Sequence, residues 1–258
     1  MTTDASGAAA APRSLRAEWA RLAAVPAPPG RFDPDLVARL PEPARRWLTH
    51  ALAPGTPLWS SVQLRMRGRI RIGAWRSFTA SQVLAPPHGF VWAATARVAG
   101  LPVTGFDRYG AGTGQMRWRL LGLVPVVTGA GPDVTRSAAG RLAGEGVCWL
   151  PSAFGAARWS AGPEPDTAVA TWRIGDADES VHLRVDPEGA LREVRLQRWG
   201  NPDGQAFGRH PFGVAIEDER CFGGVTIPSV LRAGWWWGTD RQDAGEFFRA
   251  EVTEATFG

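Results

Sequence analysis

In Val62-Gln63-Leu64-Arg65-Met66-Arg67-Gly68-Arg69-Ile70-Arg71-Ile72, apolar and polar side chains take turns. Val62, Leu64, Met66, Ile70 and Ile72 share one side; Gln63, Arg65, Arg67, Arg69 and Arg71 share the other. A repeat of two belongs to extended chain, whose successive side chains project to opposite faces. The stretch therefore reads as a strand with one apolar and one cationic face. Gly68 interrupts the apolar row and marks a bulge or a close approach of neighbouring backbone.

The same repeat returns downstream. Strands are expected over Trp75–Leu84, Phe90–Val98, Leu101–Tyr109 and Gly114–Leu121, with Phe90, Trp92, Ala94, Ala96 and Val98 on one face. Ala168, Ala170, Trp172 and Ile174 alternate, and so do Val181, Leu183 and Val185. Leu191–Trp199, Phe212–Phe222, Val225–Trp237 and Glu246–Phe257 bring the count to about eleven. Gly110–Gly114 and Asp186-Pro187-Glu188-Gly189 have the chemistry of tight turns. Short connections make neighbouring strands antiparallel.

Helix signals are few. Asp33-Pro34 is a cap followed by proline, with Leu36, Val37 and Leu40 behind it. Pro41 restarts a helix carrying Ala44, Trp47, Leu48 and Leu52. Asp133–Gly146 breaks the strand pattern and reads as a helix with Val134, Ala138, Leu142 and Glu145. Val147-Cys148-Trp149-Leu150-Pro151 is read as an extended or buried segment. The expected class is mainly β (α+β): a large curved antiparallel sheet or partly closed barrel, with about two or three helices packed on it. Residues 1–30, rich in Ala, Pro and Gly, read as a disordered or weakly helical tail, with a short helix near Leu15–Ala24 presenting Trp19 and Leu22. Residues 31–258 read as a single β-rich domain.

Composition narrows the function classes. Hydrophobic residues make up 44 %, enough for a packed core, and Gly (31), Pro (21) and Trp (13) suit many short strands. Every one of the 29 basic residues is arginine, and the net charge is +4. Sign without clustering does not imply a nucleic-acid partner, and none is expected. Cys148 and Cys221 stand in no metal-type or redox-type spacing and read as small buried apolar residues in a reducing compartment. His50, His88, His182 and His210 are scattered, His182 facing solvent and His210 in a loop, so no metal or other cofactor is expected. No signal peptide and no transmembrane segment is read, and the expected setting is cytoplasmic.

Several short motifs recur in a familiar order. They are Leu40-Pro41 with Trp47-Leu48, Gly68 before Trp75 and Phe78, Phe90-Val91-Trp92, and Asp107-Arg108-Tyr109 with Gly110 and Gly112. Arg141-Leu142 with Glu145, Trp149-Leu150-Pro151, Phe222-Gly223-Gly224 and Ile227-Pro228 complete the set. Over roughly residues 35–257 the chain resembles an uncharacterised bacterial domain-of-unknown-function family. The resemblance implies a β-rich fold similar to the half-barrel of lipoprotein carriers, and it implies no activity and no catalytic residues.

Candidate sites follow from residues that break the expected pattern. The arginine row 65–71 offers an anion-binding face or, more simply, a solvated face paired to carboxylates on neighbouring strands. Asp107 and Tyr109 project from one side of a strand, and Arg141 and Glu145 stack four apart on a helix, so the group can form a polar cluster with Arg136. The tryptophan excess, including Trp92, Trp118, Trp149, Trp235 and Trp237, makes either a dense core or the wall of an apolar pocket. The leading reading is a non-catalytic binding domain for an apolar, amphiphilic or lipid-like small molecule, with arginines at the mouth for an anionic headgroup. The rivals are an enzyme using Asp107, Arg141 and Glu145, and a structural or protein-interaction domain with a filled core.

Overall fold

The computed structural model describes residues 11–24 and 30–258. Of the tail expected over 1–30, residues 1–10 and 25–29 lie outside the described residues. Among the described residues, thirteen strands form one antiparallel sheet. In chain order they are β1 (Val62–Ile72), β2 (Ala74–Ala85), β3 (Gly89–Val98), β4 (Leu101–Gly110), β5 (Thr113–Leu120) and β6 (Val124–Ala130). Then come β7 (Ala157–Ala161), β8 (Thr167–Ile174), β9 (Ala177–Val185), β10 (Leu191–Gly200), β11 (Gly208–Phe222), β12 (Val225–Trp235) and β13 (Glu246–Phe257). Four α-helices accompany them: α1 (Arg16–Ala23), α2 (Glu42–Ala51), α3 (Pro132–Trp149) and α4 (Gln242–Gly245).

The sheet is two meanders that share a seam. β1 to β6 step outwards one way, β13 back to β7 step outwards the other, and β1 pairs with β13 in the middle. At the seam Gly68 stands opposite Ala250, and a Cβ on Gly68 would lie only 2.0 Å from the Arg249 carbonyl oxygen. The close approach expected of this glycine is thus main chain against main chain.

Helix α3 joins β6 to β7, the two outermost strands. Thirteen strands about 4.8 Å apart would be roughly 58 Å wide if flat. An eighteen-residue helix spans roughly 27 Å. Yet α3 touches strands from β2 and β5 on one side to β8 and β10 on the other. The sheet therefore curls around the helix, and the large core between them holds Trp92, Leu142, Trp149, Trp172 and Leu183. Small residues bring the helix close: a Cβ on Gly140 would sit 3.3 Å from Arg198 Cγ.

The opposite face carries a second, smaller core. Trp19 and Leu22 of α1 pack on Val83, Val91 and Phe106, the alternate phase of β2, β3 and β4. Trp19 Nε1 donates to Gln63 Oε1 at 2.8 Å, tying α1 to β1. Trp19→Phe keeps the packing and removes this bond, which costs about 1 kcal/mol. A fall of about 2–4 °C in the thermal midpoint is the expected reading.

Several expectations change in the structure. Two strands, β6 and β7, were absent from the sequence reading, and both lie at edges. Almost all of β6 is exposed, so neither face carries the apolar row that alternation detects. The helix expected over Asp133–Gly146 continues to Trp149, so Val147-Cys148-Trp149 is its last turn rather than extended chain. Pro34–Val37 is a single 3-10 turn. β12 ends at Trp235, and Trp236 takes a positive φ of 60°, so the three tryptophans do not continue as strand. His210 lies within β11 rather than in a loop. Cys148 is buried but Cys221 is exposed, because β11 turns its far end to solvent; both thiols are free.

Candidate functional site

A cavity of about 320 Å³ lies between α3 and the inner face of the sheet. The periodicities of its walls put the side chains there. On α3, Ser137, Arg141, Gly144, Glu145 and Cys148 follow at three- and four-residue steps along one face. On the sheet, Trp92 of β3 stands directly opposite Asp107 of β4 in register, and both point inwards.

One wall is polar and tightly knit. Arg141 Nη1 donates to Asp107 Oδ2 at 3.0 Å, and Arg141 Nε donates to Glu145 Oε1 at 2.7 Å. Trp118 Nε1 donates to the other Asp107 oxygen at 3.0 Å. Gln82 Nε2 donates to Glu145 Oε2 at 2.5 Å. The Arg141 guanidinium also lies over the rings of Phe90 and Trp92, at 4.7 and 5.0 Å. One arginine thus serves two carboxylates and two aromatic faces.

The other wall is aromatic. Phe248 stacks on Phe78 at 5.2 Å and meets Trp92 edge-on at 6.2 Å. Phe212 packs against Trp235 at 5.2 Å and Phe247 at 6.2 Å. Aromatic pairs at these spacings hold a rigid apolar surface. Arg198 of β10 enters between the walls, over Phe212 at 4.8 Å and Trp235 at 5.2 Å.

Burial governs the electrostatics. It raises the Asp107 carboxyl above its ordinary range, against the opposing pull of Arg141 and the Trp118 hydrogen bond. Burial alone would lower Arg141, but Glu145 and Asp107 outweigh it and hold the guanidinium above its ordinary value. Arg198 has burial and the charge of Arg141 against it and is pulled down to about 10. Burial, then the charge of Glu145, pushes the Cys148 thiol up, which keeps it from acting as a thiolate. Among the described residues, no three His, Cys, Asp or Glu side chains group so as to hold a metal ion.

Of the residues singled out from sequence, the structure places Trp92, Asp107, Arg141, Glu145, Trp149 and Trp235 around this cavity. Trp118 stands behind it, 5.6 Å from Trp92 and bonded to Asp107. Tyr109 and Trp237 lie elsewhere. Tyr109 is buried further along β4, beside Gly175 and the charge of Asp176. Trp237 covers the backbone of Gly213. Arg136 lies over Trp199 at 3.8 Å rather than joining the Asp107 cluster. Sequence reasoning missed Arg198 and Gln82. The signal existed: Arg198 is in phase with Val194 and Leu196, and Gln82 with Phe78, Ala80 and Leu84. A polar residue inside an apolar row marks a buried polar group.

The arginine row lies on the other face, away from the cavity. Arg67 pairs with Glu251 at 2.9 Å and Arg65 with Glu254 at 3.3 Å, both on β13. Arg71 donates to the Ala244 carbonyl at 2.9 Å. A broad depression of about 900 Å³ on that face mixes Thr79, Ser81, Thr95, Arg65 and Arg117 with apolar residues such as Ala93 and Phe106.

No curated protein matches the sequence. Among solved structures, the chain is similar to an outer membrane lipoprotein-sorting protein domain from Vibrio parahaemolyticus. The identity is 9 %, the match covers 87 % of this chain and 93 % of that one, and the TM-score is 0.47. It is also similar to a LolA superfamily protein from Nitrosomonas europaea at 9 % identity, over 86 % of this chain and 94 % of that one, with a TM-score of 0.45. No helix among the described residues is long and apolar enough to cross a membrane. The model of one family matches residues 30–247, and on that match the chain belongs to the family of unknown function DUF6544.

Proposed function

We propose that the domain binds an apolar or lipid-like small molecule in the cavity between α3 and the aromatic face of the sheet, without catalysing a reaction. The observation that carries this reading is the cavity itself: about 320 Å³ under a helix, walled by rigid aromatic pairs on one side and by the Asp107, Arg141 and Glu145 cluster on the other, with Arg198 between them. Concave, mostly apolar sites with a few convergent polar groups are what small-molecule recognition uses. A filled core would leave no such space.

The enzymatic alternative fits the contacts less well. Asp107 and Glu145 are both engaged by Arg141, which stands between them. A carboxylate held by a guanidinium is less available as a base. A cytoplasmic setting belongs to the same reading, and the two unpaired thiols fit it.

Native mass spectrometry of gently purified protein is the test. A co-purified small molecule is expected as an excess mass, and fatty acids or phospholipids are expected to change the indole fluorescence, since Trp92, Trp149 and Trp235 line the space. A bare apo mass together with unchanged fluorescence would remove the proposal.

A further inference from the structure

We infer that Arg198 is the anchor for a carboxylate, which makes the preferred ligand a single-chain anionic amphiphile of medium length. The inference rests on the cavity being a binding site and names the chemical class it takes.

Arg198 sits on the apolar phase of β10, in step with Val194 and Leu196. Its Nε donates to the Ser137 carbonyl at 3.3 Å. Among the described residues, its two terminal nitrogens have no acceptor and no carboxylate lies within ion-pairing distance. Arg141, on the facing helix, holds two carboxylates. Phe212 and Trp235, packed against each other, lie to one side of the Arg198 guanidinium at 4.8 and 5.2 Å. Its terminal N–H groups, the fork that matches a carboxylate, are left without a protein acceptor. Burial and the charge of Arg141 outweigh the pull of Glu145, Asp107 and Glu179 on this cation, none of them in contact with it, and an entering anion that makes contact relieves the cost.

Two more unpaired donors belong to residues of the cavity wall. Trp92 and Trp149 line the cavity at 3 % exposure each, and their indole N–H groups have no protein acceptor. A carboxylate, which only accepts, suits the free Arg198 fork; a cationic head would be repelled by it. Beyond Arg198 the walls turn apolar at Ile70, Leu231, Phe247 and Phe248, which suits an alkyl chain. The volume of about 320 Å³ accommodates one medium alkyl chain.

The test is isothermal titration calorimetry with decanoate, decanol and decyltrimethylammonium, which share a tail and differ in the head. Wild-type protein is expected to bind decanoate at least about tenfold tighter than decanol and to exclude the ammonium. Arg198→Leu is expected to lose about tenfold for decanoate and to keep its decanol affinity. If Arg198→Leu fails to fold, Arg198→Lys keeps the charge without the fork and is expected to weaken decanoate more than decanol. Equal wild-type affinity for decanoate and decanol overturns the inference while leaving the cavity as a binding site. A decanoate preference that survives Arg198→Leu also overturns it. Failure of all three to bind sinks the binding reading itself.

Discussion

Arg141→Met lowers stability by about 3–5 kcal/mol near neutral pH, the cost of removing one partner from a buried ionic group. The side chain is central to the polar wall: it bonds Asp107 at 3.0 Å and Glu145 at 2.7 Å, and methionine replaces neither bond. Both carboxylates would then stay beneath α3 with only the charge of Arg198, which bonds neither, to offset them. Asp107 supplies the pH signature. Burial already holds it above the ordinary carboxylate range, and Arg141 is the strongest opposing influence. Without Arg141 its folded value rises further. A carboxyl whose folded pKa exceeds its unfolded one costs nothing when both states are protonated, and the cost grows as pH rises from there. The loss in Arg141→Met should therefore be large at about pH 7 and small at about pH 4. Urea titrations of wild type and variant at the two values check this. Adding Asp107→Asn and Glu145→Gln to Arg141→Met should recover much of the loss, and a triple variant no better than the single one would contradict the account.

Gly68→Ala is expected to cost about 3 kcal/mol, the upper part of the range for overpacking, because the obstruction is backbone that cannot rotate aside. The added methyl carbon would lie 2.0 Å from the Arg249 carbonyl oxygen and 2.9 Å from Ala250 Cα. β1 and β13 must part there, and that pairing is what holds the two meanders together. A drop of about 6–12 °C in thermal midpoint corresponds to this cost at 258 residues. Gly73→Ala is the control. Gly73 has a φ of +67° and nothing within 4 Å of an added Cβ, so it carries only the left-handed backbone penalty of about 1 kcal/mol. Similar losses in the two variants would show that conformation, not the clash, decides.

Much of the sheet was legible because most strands bury one face. Met66 and Leu64 fall in the core while Arg65 and Arg67 face out, and the chain states this directly. The edges were not legible for the same reason. β6 (Val124–Ala130) buries neither face, so its Val126 and Val127 are exposed and no alternation marks it. The order of strands could be read only locally. Turn chemistry joins β4 to β5, but nothing in either sequence announces that β1 pairs with β13. The helix could be placed, but not its end, since Val147, Cys148 and Trp149 serve equally well as a buried turn of helix or a buried strand. For the cavity, residue types point to Asp107, Arg141 and Glu145, whereas the residue type of Arg198 does not set it apart from the other arginines of its strand. Its phase with Val194 and Leu196, rather than its charge, was the informative property. Glu179 repeats the lesson: it shares the phase of Val181 and Leu183, is 1 % exposed, and is held by Arg209 at 2.9 Å.

The seam also sets the order of assembly. Every other strand pairing apart from the connection through α3 follows a nearby turn, so each half can zip up from adjacent hairpins at low contact order. Val62 meets Phe257 only after nearly the whole chain has been threaded between them. Closing that distance is the entropically slow event. Until it happens, both meanders present a long unsatisfied rim, one along β1 and one along β13, to any neighbouring chain. Slowed closure, as in Gly68→Ala, should thus be felt first as misassembly during refolding at high protein concentration, before equilibrium stability runs out.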